Sequence, residues 1–158
     1  MIFVAVGTQK FQFNRLLKAV DDLIEQGQLD RDVFAQIGHS DYVPKHYQFK
    51  DFISKDEFES CINRCDLLIT HSGVATIITG LKLEKPVVVV PRFASYGEHV
   101  DDHQLDIARA FEMKKYVLCC YENDDLLEKI NKCKDFQFDE YVSQQKQIIG
   151  IIKNFLDE

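Results

Sequence analysis

Short apolar runs alternate with helix-like runs along almost the whole chain. Four runs have the length of strands: Ile2–Val6, Val33–Ile37, Leu67–Thr70 and Val87–Val90. A run that is apolar throughout, without polar residues at every second position, is typical of a parallel strand that is buried on both faces. Parallel strands need crossover connections, which are usually helices. The alternation therefore predicts an α/β fold, a Rossmann-like parallel sheet with helices on both faces.

The segments between these runs have helical periodicity. One helix is predicted after Asn14, ending before Gly27. Ser54, followed three residues later by Glu57, forms a capping box and predicts the next helix start. That helix is Asp56–Asn63. The further predicted helices are Val74–Leu83, Glu98–Phe111, Asp124–Asn131 and Tyr141–Leu156. A short strand with weak alternation is predicted at Tyr47–Ile53, and a last strand at Tyr116–Cys119.

Length and charge limit the class of protein. The chain has 158 residues, close to the prior of about 150 per domain, and no linker interrupts it, so one domain over residues 1–158 is expected. A net charge of −7 argues against binding the nucleic acid backbone, which requires a basic face. The first residues have neither the basic region nor the cleavage site of a signal peptide, so a cytoplasmic location is expected.

The five cysteines do not form the paired two-residue spacings of a zinc module. Cys61 and Cys65 lie four residues apart on a predicted helix, which leaves a redox pair or half a metal site open beside simple core packing. Free, buried thiols are the preferred interpretation.

The last predicted helix has a wide apolar arc that includes Ile148, Ile152 and Phe155. Such an arc either packs on the sheet of its own domain or also contacts a partner subunit. The sequence leaves both alternatives open.

Two polar loops follow adjacent apolar strands. Residues 70–73 place small residues at a helix start, where free backbone N–H groups favour an anion. Residues 96–104 are rich in hydrogen-bonding groups suited to sugar hydroxyls. Because such loops meet at the carboxyl edge of a parallel sheet, the sequence predicts a site for a phosphate joined to a polyol.

The motifs in these loops, taken in order, resemble the C-terminal, donor-binding half of glycosyltransferase family 28. The resemblance covers nearly the whole chain. The matching segments are residues 6–8, 13–16, 71–73, 85–87, 91–92, 96–99 and 102–104.

The resemblance implies the C-terminal half of a GT-B fold, in which a separate half binds the acceptor. It is strongest to short members of the family, such as the catalytic subunits of capsule and exopolysaccharide β-1,4-galactosyltransferases and of the dolichol-linked GlcNAc transferase. It therefore implies a UDP-sugar donor, a membrane-anchored acceptor-binding subunit and a lipid-linked saccharide acceptor. The protein is then expected at the inner face of the membrane through that partner. Whether it also forms a homodimer in isolation stays open.

For the nucleotide, the resemblance implies that Gly7 and Thr8 face the diphosphate and that Phe52 and Ile53 frame a uracil ring. Gln9 stands where relatives often have histidine. A glycine after a strand also fits a tight turn, and two apolar residues at a strand end also fit a core.

The next loop matches the diphosphate loop of the family. Ser72, Gly73, Val74 and Thr76 are assigned to it through the resemblance. His71 either donates a hydrogen bond to the diphosphate, stabilises the departing UDP in catalysis, or is a structural histidine. Arg92, after the fourth strand, either approaches the diphosphate or projects into solvent.

Thr79 departs from the family pattern, because most relatives have a glutamate there that binds both ribose hydroxyls. The resemblance assigns the donor sugar to the last loop, with Gln104 and His103 as the favoured contacts. The other residues of that loop assigned to the sugar are Glu98, His99 and Asp102. His99 and His103 have helical spacing but no HExxH pattern, so neither a metal nor a cofactor is expected.

The implied reaction is an inverting displacement without a metal, with the general base on the partner. A different hypothesis is a non-catalytic stabiliser of a transferase partner, motivated by Thr79. A third, a half-length relative of UDP-GlcNAc 2-epimerases, is disfavoured because one half cannot enclose the substrate.

Overall fold

A computed structural model describes residues 1–142 of the chain. Within that range, six parallel strands form one sheet in the order β3-β2-β1-β4-β5-β6. The strands are β1 (Ile2–Ala5), β2 (Val33–Gln36), β3 (Gln48–Lys50), β4 (Leu67–Thr70), β5 (Val87–Val89) and β6 (Leu118–Cys119). The predicted parallel α/β fold is confirmed.

Five α-helices connect or follow these strands in the described part of the chain. They are α1 (Asn14–Glu25), α2 (Lys55–Arg64), α3 (Val74–Lys82), α4 (His103–Met113) and α5 (Leu126–Cys133), and a 3₁₀ turn covers Ala94–Tyr96. None of these helices is long and apolar enough to cross a membrane. The predicted terminal helix, apart from Tyr141 and Val142, lies outside the described residues.

The sheet has a separate apolar core on each face. Val4 and Val6 of the first strand segment point to the side of α1 and α5, whereas Phe3 and Ala5 point to the side of α2, α3 and α4. All of them are fully buried. This two-sided burial explains why the strands are apolar throughout instead of alternating with polar residues.

The five cysteines are free and buried in these two cores. Burial raises the pKa of the Cys120 thiol to about 11, and acts in the same direction on Cys65, Cys119 and Cys133. Protonated thiols are poor nucleophiles and poor metal ligands, which favours the packing interpretation. The described residues contain no cluster of three or more metal-ligating side chains.

One predicted helix start is wrong. The helix expected from Glu98 begins at His103, because residues 94–102 form the 3₁₀ turn and a series of further turns. Gly97 has a left-handed φ of 68°, which ends the 3₁₀ turn. Glu98 and His99 therefore lie in a loop, and His99 and His103 do not share a helix.

The predicted cap of α2 is present. Ser54 precedes the helix, and its Oγ accepts a hydrogen bond of 3.1 Å from the Glu57 backbone N–H. Replacing an N-cap serine by alanine costs about 1 kcal/mol. We therefore expect Ser54→Ala to lower the free energy of unfolding by about that amount, measured by urea denaturation.

Ser60→Ala is the matched control, because Ser60 is exposed in the same helix and alanine has the higher helix propensity. It should leave stability unchanged or slightly higher. Equal losses in the two variants would show that the Ser54 cap contributes nothing.

Candidate functional site

The end of β1 and the end of β4 lie side by side at the carboxyl edge of the sheet. Ala5 pairs with Thr70, and the His71 backbone N–H donates to the Ala5 carbonyl at 3.1 Å. From β1 the chain continues toward β2 on one side, and from β4 it continues toward β5 on the other. This reversal of strand order is the place where open α/β sheets bind ligands.

A cleft of about 400 Å³ opens at this edge. Its volume falls within the roughly 300–1,000 Å³ of typical ligand pockets. Three segments form most of it: the turn after β1, the start of α2, and the turn after β4 with the start of α3. The lining residues are Gly7, Thr8, Gln9, Gln36, Ile53, Lys55, Phe58, His71, Gly73, Val74, Ala75 and Thr76.

The amino end of α3 opens directly into this cleft. Gly73 is the N-cap and supplies no side-chain hydrogen bond, while Val74, Ala75 and Thr76 of the first turn line the cleft. The first amides of a helix have no partner within the helix, and the helix dipole places partial positive charge there. The cleft therefore contains an anion-binding helix terminus.

A cavity of about 440 Å³ at the opposite edge of the sheet lies near Leu81 and Lys82, at the carboxyl end of α3. Helix carbonyls carry partial negative charge at that end. Of these two cavities, the cleft at the carboxyl edge is the better site for an anion.

The imidazole of His71 lies between two glycines. A Cβ atom at Gly7 would be 2.6 Å from His71 Nε2, and a Cβ at Gly73 would be 2.6 Å from the same nitrogen. Gly7 also has a φ of 83°, which disfavours a side chain. Both glycines are therefore required by the close approach of the ring, and Nε2 lies between the two turns.

His71 is only 8% exposed, and burial lowers its pKa from 6.5 to about 3. Charge repulsion from the Arg92 guanidinium and His99 contributes to the same shift, whereas the hydrogen bond with Gln104 opposes it. The ring is therefore neutral at physiological pH. A neutral histidine in this position is a hydrogen-bond donor or acceptor for a ligand, not a cation.

Ser72 is placed differently from the expectation for a diphosphate-binding side chain. It is 1% exposed, its Oγ has no hydrogen-bond partner, and its backbone N–H donates to Gln104 Oε1 at 3.2 Å. Ser72 is absent from the cleft lining. Gly73 and the first turn of α3, not Ser72, present the free amides.

The structure contradicts one of the two alternatives given for Arg92, that its side chain projects into solvent. The side chain is 1% exposed, so it does not project into solvent. Its guanidinium donates to the carbonyls of Phe11 and Gln12 at 3.1 Å, of Glu98 at 3.0 Å, and of Val6. These bonds use the guanidinium to join the loop after β1 to the loop after β5.

Glu98 and Gln104, which were expected to contact a sugar, are buried in the same framework. Glu98 is 1% exposed, forms a salt bridge of 3.1 Å with Arg15 Nε and accepts a hydrogen bond from the Phe93 N–H. Gln104 is 5% exposed and bonds to Ser72, Arg92 and His71. Their side chains hold loops in place in this structure.

The remaining residues of that loop lie beside the cleft instead of lining it. The His99 ring packs on Phe11 with centroids 5.5 Å apart, and its Nδ1 lies 3.1 Å from Asp101 Oδ1. Asp101 also accepts the His103 backbone N–H at 3.0 Å, and Asp102 accepts the Ala94 N–H at 2.9 Å. The Asp101 carboxylate thus supports the start of α4, and the Asp102 carboxylate supports the 3₁₀ turn.

Ile53 lines the cleft, but its neighbour Phe52 does not. Phe52 is 49% exposed, and its ring meets the His39 ring edge-on with centroids 5.1 Å apart.

Thr79 is also outside the cleft lining: its Oγ1 donates a hydrogen bond to the Ala75 carbonyl at 2.9 Å, one turn back in α3. Thr79 faces a groove of about 640 Å³ between α2 and α3.

Four lining residues were missed from the sequence: Gln36, Lys55, Phe58 and Ala75. One of them had a readable signal. Lys55 is the first residue of α2, where a cation opposes the helix dipole. A lysine in that unfavourable position is the signal that could have drawn attention to it.

Comparison with known proteins agrees with the observed fold. The family described as "Glycosyltransferase family 28 C-terminal domain" matches residues 1–155. A human protein named "UDP-N-acetylglucosamine transferase subunit ALG13" is 29% identical over 127 residues, or 75% of this chain. The protein of the same name from Candida albicans is 31% identical over 89 residues, or 56% of this chain. The chain spans 11% and 29% of the lengths of these two relatives.

Two solved structures show the same fold at low sequence identity. The NMR structure of ALG13 has a TM-score of 0.60 and 19% identity, covering 92% of this chain and 91% of that one. The crystal structure of Acinetobacter baumannii MurG has a TM-score of 0.54 and 18% identity, covering 84% of this chain and 40% of that one. The observed architecture is therefore that of half of a GT-B glycosyltransferase.

Gly7 and Gly27 provide a matched test of the contact with His71. Both have a positive φ, 83° and 73°, but a Cβ at Gly27 meets nothing within 4 Å. Alanine in the left-handed region costs roughly 1–2 kcal/mol at either position. Gly7→Ala should lose about 1–3 kcal/mol more than Gly27→Ala, because its Cβ overlaps a buried ring. Denaturant unfolding of both variants measures the difference, and equal losses would show that the ring moves aside freely.

Proposed function

Because this chain belongs to glycosyltransferase family 28, as the C-terminal domain of that family, we propose that it binds the donor of a two-component UDP-sugar transferase. A membrane-anchored partner would bind a lipid-linked saccharide acceptor. The chain would then act at the inner, cytoplasmic face of the membrane through that partner.

The observation that carries the proposal is the uncapped amino terminus of α3 beside His71 and Gly7 in one cleft. Free helix amides and close backbone approach are the means by which α/β proteins hold a pyrophosphate. Lys55 adds a positive charge to the same lining. A nucleoside diphosphate fits this combination better than an uncharged ligand does.

The nucleoside is assigned to the side of the cleft formed by α2. Ile53 and Phe58 give that side apolar surface for a base, and Gln36 is held by hydrogen bonds to the carbonyls of Gly7 at 3.2 Å and Asp51 at 3.0 Å. The chain is similar to enzymes named for UDP-N-acetylglucosamine, which supports uridine as the nucleoside.

The proposed reaction is a direct displacement. A hydroxyl oxygen of the acceptor attacks the anomeric carbon, the bond from that carbon to the phosphate oxygen breaks, and UDP leaves with inversion. The hydroxyl proton passes to a general base, which we place on the partner. Oriented amides at the start of α3 stabilise the negative charge of the leaving UDP, so the reaction is proposed to be metal-independent.

The names of the relatives favour N-acetylglucosamine as the transferred sugar, and galactose is the alternative that the short bacterial members suggest. Capsule or exopolysaccharide assembly is the process proposed for either sugar. The partner is supported by the word "subunit" in both names and by the openness of the cleft at the sheet edge. In this proposal, the partner completes the site by covering it.

The second candidate function is a non-catalytic stabiliser of a membrane transferase. It is favoured by Thr79, whose hydroxyl is bonded to its own helix, so it does not replace a ribose-binding carboxylate. Nucleotide binding distinguishes the two functions. UDP at about 100 times its Kd would stabilise the protein by about 2.7 kcal/mol, which corresponds to a rise in Tm of roughly 5–10 °C.

The deciding experiment co-expresses the chain with a candidate membrane-anchored partner subunit from the same genome and supplies a panel of UDP-sugars with a lipid-linked acceptor. We expect transfer from one UDP-sugar only when both proteins are present. The proposal would be abandoned if no UDP-sugar supported transfer and saturating UDP left Tm unchanged with and without the partner.

Thr79→Glu should strengthen UDP binding, because a carboxylate at this turn of α3 would accept hydrogen bonds from the ribose hydroxyls. A charged hydrogen bond contributes roughly 1.5–3 kcal/mol, which corresponds to a ten- to hundredfold lower Kd. Isothermal titration calorimetry with UDP measures this change in Kd. Thr79→Gln is the control of similar size without charge and should give a smaller gain. A Kd unchanged by Thr79→Glu would place the ribose elsewhere.

A further inference from the structure

Gln104 is the second residue of α4 and is almost completely buried. Its Oε1 accepts two backbone hydrogen bonds, from Ser72 N–H at 3.2 Å and from Arg92 N–H at 3.1 Å. Backbone N–H groups can only donate, so the atom that faces them must be the amide oxygen. The orientation of the Gln104 amide is therefore fixed by two strand ends, β4 and β5.

The other end of the amide is fixed by the same argument. Gln104 Nε2 lies 3.1 Å from His71 Nδ1. An amide nitrogen can only donate, so Nδ1 must accept with its lone pair. In a neutral imidazole the single proton is then on Nε2, the nitrogen that lies between Gly7 and Gly73.

We propose that Gln104 is a positioning residue that holds His71 in the Nε2–H tautomer, so that the neutral ring presents a fixed hydrogen-bond donor to an anionic oxygen in the cleft. The part of this inference that concerns the anionic oxygen rests on the proposed function. The part that concerns the tautomer does not, because it follows from hydrogen bonds within the protein.

The amide at position 104 is essential to this arrangement. A carboxylate there would still accept from the Ser72 and Arg92 N–H groups, but it would also accept from His71. The Nδ1 atom of His71 would then carry the proton, and its Nε2 would turn a lone pair toward the phosphate.

The charged and titratable groups around the ring are Arg92 after β5, His99 in the following loop, and Lys55 at the start of α2. From the loop after β1, the uncharged Thr8 and Gln9 line the cleft, and the charged Lys10 follows them in the same loop.

Gln104→Glu tests the inference, because the substitution preserves shape and both acceptor bonds and reverses only the bond to His71. The imidazole ¹⁵N shifts of the ligand-free protein report the tautomer directly, with the His71 signals identified by their loss in His71→Gln. We expect protonated Nε2 and unprotonated Nδ1 in the wild type, and the opposite pattern in Gln104→Glu together with a raised His71 pKa. A wild-type ring protonated on Nδ1, or a mixture of tautomers, would overturn the inference even if the variant did not fold.

Binding of UDP provides the second readout. At a pH above the raised His71 pKa, Gln104→Glu should bind UDP roughly ten- to hundredfold more weakly than the wild type, because a donor to a charged oxygen is lost. Below that pKa the doubly protonated ring regains Nε2–H, so the ratio of variant to wild-type Kd should fall toward one. Taking the ratio at each pH removes the titration of UDP itself.

Gln9→Glu calibrates the effect of added negative charge, since it makes the same substitution in the cleft lining away from Gln104. It should weaken UDP binding without changing the His71 tautomer. If Gln104→Glu weakened UDP binding no more than Gln9→Glu, the loss of affinity would come from charge repulsion alone and the positioning role would be rejected.

The proposed function and the tautomer inference fail separately. Absence of UDP binding by the wild type, with and without partner, overturns the proposed function, whereas the ¹⁵N shifts decide the tautomer.

Discussion

The pairing of β1 with β4 determines where this protein can bind a ligand. Because Ala5 and Thr70 are aligned and His71 donates to the Ala5 carbonyl, the two turns that follow are separated by a single hydrogen bond. That spacing leaves room between the turns for an imidazole only if neither turn carries a Cβ there, which accounts for Gly7 and Gly73 together. The glycines, the ring and the free helix amides are consequences of one strand register.

A buried cation keeps the loops around this edge in place. Moving an arginine out of water is costly unless its donors are satisfied, and the Arg92 guanidinium reaches carbonyls of both the loop after β1 and the loop after β5. The second arginine, Arg15, neutralises the buried Glu98 carboxylate nearby. These bonds are made within the protein and hold the loops in one arrangement, which lowers the ordering cost when a ligand binds.

The fold was predictable because its signals are local. Leu67–Thr70 is the observed strand to the residue, and the Ser54 cap needed only a three-residue spacing. The start of α4 was not predictable, because Asp101 and Asp102 look like a favourable first helical turn. Instead they precede the helix, and they accept the backbone N–H groups of His103, its first residue, and of Ala94 in the 3₁₀ turn. Periodicity does not distinguish these uses of a carboxylate.

The place of the candidate site in the fold was easier to predict from the sequence than the roles of its individual side chains. The glycines and the helix start were identified from motifs, but the roles of Arg92 and Gln104 depend on partners that are distant in sequence. Arg92 bonds to carbonyls about 80 residues earlier, and Gln104 reaches His71 across 33 positions. No local pattern indicates that such a side chain is buried instead of facing a ligand.

Neutral, oriented donors have a consequence for the proposed reaction. In a chain with a net charge of −7, an anion in the cleft would be attracted by the α3 terminus and Lys55, not by the overall field. Preorganised dipoles contribute most where negative charge develops, and they contribute more in a site from which water is excluded. A cleft that opens at the sheet edge leaves these dipoles partly screened. Closure by a partner would therefore strengthen the stabilisation of the leaving UDP without adding a catalytic group to this chain, which is a physical reason for an enzyme of two subunits.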